Sequence, residues 1–69
     1  MPKPHSSDEI IKTLTRNGFM CVAQKGSHMK FRKDGDQVLT VIVPANRKEI
    51  PHGTFRSIMR QSQLSEKDF

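Results

Sequence analysis

The chain has 69 residues, of which 33% are hydrophobic and 6% aromatic, with no Trp or Tyr. That leaves room for one domain, read over residues 1–69, with a thin core and no deep enclosed pocket, so any chemistry has to sit on an open face. Twelve Lys and Arg against seven Asp and Glu give a net charge of +5 and a pI near 9.9; the balance suits a polyanionic partner, nucleic acid first, although plain solubility also accounts for such a charge.

Residues 1–5, with Pro2 and Pro4, read as a flexible lead. Ser6 and Glu9 then stand at capping-box spacing, and Ile10, Ile11 and Leu14 form one apolar stripe, which predicts a first helix over 7–17. Asn17-Gly18 ends it, because glycine takes the left-handed conformation at no steric cost. An apolar run over 19–25 predicts the first strand, and Cys21 within it reads as a small core filler. A single cysteine excludes an internal disulfide and a cysteine-rich zinc site.

Gly26-Ser27 reads as a turn. His28 to Lys33 then alternates strictly, as a half-buried strand does, with Met29 and Phe31 on one face and His28, Lys30 and Arg32 on the other. Asp34-Gly35 signals a hairpin into a third strand over 38–43, stopped by Pro44. Leu39, Val41 and Val43 fit the inner face, and Ile42 is left outward. A loop follows over 44–53, then a second helix over 54–61 capped by Thr54, with Phe55, Ile58 and Met59 on its apolar face. Ser65 to Asp68 fits a last short turn, with Leu64 and Phe69 closing over the core. The predicted fold is α+β, in the order α-β-β-β-α: a three-stranded antiparallel sheet with both helices on one face and the other face open. No stretch is apolar enough for a signal peptide or a membrane span, so the expected location is cytoplasmic.

The open face carries the candidate site. His28 leads the second strand with Lys30 and Arg32 pointing the same way, and Lys25 lies across the turn. An imidazole among cations suits an RNA phosphate, because the ribose 2′-hydroxyl already supplies the nucleophile and the protein need only move protons and hold charge. Histidine can serve either proton role near neutral pH. Lys25, Lys30 and Arg32, with the backbone N–H groups of Gly26 and Ser27, can stabilise the developing charge. The ordinary alternative is a surface histidine on a solvated strand. His5 and His52 have no partner in the sequence, no His and carboxylate cluster has metal-ligand spacing, and no phosphate-binding glycine loop is present. Arg47 and Lys48 read as loop charges that can also grip RNA.

Taken together, Asn17-Gly18-Phe19, Lys25-Gly26-Ser27-His28, Val41-Ile42-Val43-Pro44 and Gly53-Thr54-Phe55-Arg56-Ser57-Ile58, followed by Gln61 and Leu64-Ser65, resemble the HicA toxins, or YcfA-like mRNA interferases, over nearly the whole chain. The resemblance implies a double-stranded-RNA-binding-domain-like fold and a ribosome-independent ribonuclease that cleaves mRNA and blocks translation. It places the family's catalytic histidine, which follows Gly-Ser, on His28. It also implies a HicB-like antitoxin as partner, and neither a metal, nor an organic cofactor, nor a small-molecule ligand. Many relatives carry a second His or a large apolar residue just after the catalytic one; here Met29-Lys30 stands in that place, which leaves the second proton carrier open. Two rivals to the enzyme are a non-catalytic RNA-binding module of the same fold and a subunit whose main business is protein contact.

Overall fold

The computed structural model describes residues 4–69, so residues 1–3 of the expected lead lie outside the described residues. The elements are α1 (Ser7–Arg16), β1 (Met20–Lys25), β2 (His28–Lys33), β3 (Leu39–Pro44), α2 (His52–Ser62) and a final 3-10 turn (Glu66–Asp68). The three strands form one antiparallel sheet in the order β1-β2-β3. This is the α-β-β-β-α arrangement of double-stranded-RNA-binding domains, as the sequence predicts.

Local chemistry sets the first helix. The Ser6 hydroxyl accepts from the Glu9 N–H at 3.2 Å, and a Glu9 carboxylate oxygen accepts from the Ser6 N–H at 3.0 Å, closing the capping box. Asn17 caps the other end, and Gly18 turns the chain at φ +91°. The second helix starts two residues earlier than Thr54. Pro51, with φ −57° and ψ 146°, stands at its N-cap, where the backbone is not yet helical, and no side chain caps it; its carbonyl accepts from the Phe55 N–H at 2.9 Å. His52 is therefore its first residue, and Gln63 ends it in the left-handed region at φ +60°.

The core gathers Ile10 and Leu14 of α1, Phe19, Phe31 of β2, Val41 and Val43 of β3, Ile50, and Phe55 and Ile58 of α2, all buried. Ile11, Met29, Leu39, Met59, Leu64 and Phe69 close its margin. Both helices thus cover the face bearing Phe31, Val41 and Val43. The expected lead is anchored at His5, whose ring lies 4.9 Å from that of Phe55 and whose carbonyl accepts from the Ile50 N–H at 2.7 Å.

Three local expectations need correction. The β2–β3 connection is a five-residue loop over 34–38, and Gly35 takes no positive φ, which a two-residue Asp-Gly turn requires. Val38 falls in that loop and is exposed. Cys21 is exposed as well. It pairs with Phe31 and so faces the helix side, but both helices pack against β3, two strands away, and β1 overhangs them. Every residue of β1 is exposed in consequence. Among the described residues no helix is long and apolar enough to cross a membrane.

Candidate functional site

Residues directly opposite in antiparallel strands share a face, so the register fixes what stands on the open side of the sheet. Lys25, His28 and Pro44 form one cross-strand row; Ala23, Lys30 and Ile42 form the next; Met20, Arg32 and Thr40 form the third. His28, Lys25, Lys30 and Arg32 are all exposed there. The strand pattern of the sequence placed His28, Lys30 and Arg32 on this face, and the register adds Lys25 as the direct neighbour of His28.

The three cations are not equivalent. Lys25 faces His28 across the ladder, where opposed Cβ atoms stand about 4.5–5.5 Å apart. Lys30 lies one row on, about 7 Å along the strand, and Arg32 two rows on, about 13 Å away at roughly 3.3 Å per residue. The Arg32 Nε also donates to a carboxylate oxygen of Asp34 at 2.9 Å. Lys25 and Lys30 are thus the cations nearest the imidazole, and Arg32 is set apart.

Gly26-Ser27 joins Lys25 to His28 as a two-residue hairpin turn, with Gly26 at φ +59°. Positive φ at the first central residue suits the type II′ turn, whose twist matches the flanking strands. A Cβ built on Gly26 would meet nothing within 4 Å, so the backbone is open to a phosphate at this corner. The carbonyls of the turn are engaged: that of Ser27 accepts from the Ala45 N–H at 2.6 Å, and that of Gly26 from the Gln24 side-chain amide at 3.5 Å. The His28 imidazole makes no hydrogen bond among the described residues and stands free for a ligand.

One element behind this corner carried no functional signal in the sequence. Ser7, read there as part of a helix start, is buried; its hydroxyl donates to the Pro44 carbonyl at 2.6 Å and accepts from the Arg47 N–H at 3.0 Å. Its own N–H donates to the Arg47 carbonyl at 2.9 Å. Arg47 and Lys48 are exposed and line a shallow cleft of about 270 Å³ with Ser6, Ser7, Asp8 and Asn46. His5 packs against Phe55 and Phe69, and His52 is the first residue of α2. Among the described residues no group of three or more His, Cys, Asp or Glu is placed to hold a metal ion.

A family model described as the HicA toxin of bacterial toxin–antitoxin systems matches residues 7–64, from the first residue of α1 to just past α2. No curated protein matches the chain.

Proposed function

Because the chain belongs to the HicA toxin family, and so plays the toxin's part opposite a HicB-type antitoxin, we propose that it is a metal-independent endoribonuclease that cleaves mRNA and blocks translation, with His28 as general acid or base. The observation that carries this reading is the row Lys25–His28 on a sheet face free of helices, with Lys30 one row along.

In the proposed reaction the ribose 2′-oxygen attacks the neighbouring phosphorus. The P–O2′ bond forms and the P–O5′ bond breaks, giving a 2′,3′-cyclic phosphate and a free 5′-hydroxyl. One proton leaves the 2′-hydroxyl and another reaches the departing 5′-oxygen, and His28 handles one of these transfers. Proton help of this kind is worth on the order of 100- to 10,000-fold in rate. Lys25 and Lys30 face the negative charge that builds on the phosphorus oxygens, and the backbone N–H groups of Gly26 and Ser27 approach it from the turn. Arg32 binds the RNA backbone further along the strand. The cellular site of action is the cytoplasm, where mRNA is translated.

The test compares the parent with His28→Ala, both induced in cells and both purified. Growth, total mRNA integrity and cleavage of an RNA oligonucleotide in the presence of a chelator are followed. The expected result is arrest and degradation by the parent, neither by a folded His28→Ala, and RNA affinity retained in the variant. Equal cleavage by the two proteins would remove His28 from the reaction, and no cleavage by either would overturn the reading in favour of an RNA-binding module.

A further inference from the structure

We propose that Ser7 is a positioning residue for the His28 corner, acting through the turn that follows β3. The inference rests on the reading of His28 given above and extends it to a buried side chain on another element.

The connection is short, one cross-strand pair followed by a set of hydrogen bonds. Pro44 pairs directly with His28 across β2 and β3. Its carbonyl is held by the Ser7 hydroxyl at 2.6 Å. The next residue, Ala45, donates its N–H to the Ser27 carbonyl at 2.6 Å, which ties the turn after β3 to the turn before His28. Two residues further on, Arg47 gives its N–H to the same Ser7 hydroxyl and takes the Ser7 N–H on its carbonyl. Between them Asn46 sits at φ +58°, in the left-handed region that asparagine enters more readily than other non-glycine residues. Three bonds from Ser7 and one from Ser27 hold the segment around it.

Ser7 is 1% exposed, so no water replaces its hydroxyl when it is removed. Two backbone groups then lose their partner at once, and the 44–47 segment is freed to swing away from Ser27. The His28 imidazole makes no hydrogen bond among the described residues and takes its place from β2 and from this corner. A small displacement there is enough to spoil proton transfer while leaving the cations on the strand face where they were.

Ser62 supplies the control. It is equally buried, donating to the Met59 carbonyl at 3.2 Å and accepting from the Leu64 N–H at 3.3 Å, at the far end of α2. Purified Ser7→Ala, Ser62→Ala, Ser7→Cys and His28→Ala are compared with the parent at a temperature where each is folded. Read out are kcat and KM on a single-stranded RNA oligonucleotide and amide hydrogen exchange. Ser7→Ala is expected to lose about 10- to 100-fold in kcat, the range that a slight misplacement of reacting groups costs, with KM little changed. Its Ala45 and Arg47 amides exchange faster. Ser62→Ala is expected to lose stability but keep its kcat and leave those two amides alone. Ser7→Cys, which keeps the shape with a weak donor, falls between and serves in place of Ser7→Ala if that variant does not fold. Parental kcat in Ser7→Ala, a rise in KM alone, or unchanged exchange at Ala45 and Arg47 overturns the proposal. If His28→Ala still cleaves, the reading of His28 falls, whereas the exchange at Ala45 and Arg47 still decides whether Ser7 holds the corner.

Discussion

The two edge strands of the sheet are both largely apolar and have opposite surroundings. In β3, Val41 and Val43 are fully buried under both helices, and its free edge is guarded: the Ile42 N–H donates to a side-chain oxygen of Gln61 at 3.0 Å, and the Pro44 carbonyl is taken by Ser7. In β1 no residue is buried, Met20 and Val22 among them, and a bulge between Cys21 and Ala23 interrupts the ladder. Both strands are apolar enough to belong in a core. Which one is covered depends on where the helices land, and they land on β3. The division suits the proposed chemistry, because His28 sits on the central strand between a buried support and an open flank.

The largest test of that division is energetic. Phe31→Ala, on the covered side of β2, is expected to cost about 3–5 kcal/mol. A chain of this size has only about 3–10 kcal/mol in hand at roughly 0.05–0.15 kcal/mol per residue, so the variant should melt far below the parent. Met20→Ala on β1 should move the stability by no more than about 0.5 kcal/mol. Comparable losses at the two positions would mean that β1 is buried in solution, by a second chain or by a helix arrangement other than this one.

A smaller effect is expected at the corner where the open flank meets the supported strand. Gly26 holds φ +59°, and a Cβ there meets no neighbour, so Gly26→Ala costs only the backbone penalty of a left-handed residue, about 1–2 kcal/mol. Equilibrium urea unfolding should read that loss without a change of slope. An unchanged midpoint would show that the turn relaxes into another type, and with it that Lys25 and His28 are less firmly opposed than the register implies.

Local signals in the sequence were the ones that carried through. The Ser6–Glu9 capping box, the Asn17-Gly18 stop and the alternation of 28–33 each depend on residues within a few positions of one another, and each is present. Alternation says which face of a strand a side chain takes, but nothing about which strand a helix covers. That is why the sequence points Cys21 to the core and the fold leaves it exposed, while Met29 and Phe31 pack as the alternation predicts. The bonds from Ser7 to Pro44 and Arg47, and from Gln61 to Ile42, join segments far apart in the chain and leave no periodic trace. At the start of α2 the sequence offers two local signals, and the helix begins directly after Pro51 rather than at the hydroxyl of Thr54. The candidate site was legible for a related reason. Its residues lie within one hairpin, so spacing alone nearly determines their arrangement.

The finest distinction within the open flank is among its cations, and salt separates them. Each phosphate contact on single-stranded RNA contributes about 0.7 to the slope of log affinity against log salt, or roughly a two- to threefold change in affinity over a fourfold change in salt. Lys25→Ala and Lys30→Ala should each flatten the slope by about that amount if both lysines hold the phosphates beside His28. Arg32→Ala should flatten it less, because its Nε is already engaged by Asp34 and it stands two rows from the imidazole. Fluorescence anisotropy with His28→Ala as the background, so that the RNA stays whole, gives the slopes directly. Equal slopes lost at all three positions would describe a track running the length of β2, and Asp34 would then be a competitor that RNA displaces. A loss confined to Lys25 and Lys30 would describe a site gathered at one end of the hairpin, where the open flank and the buried support meet at a single histidine.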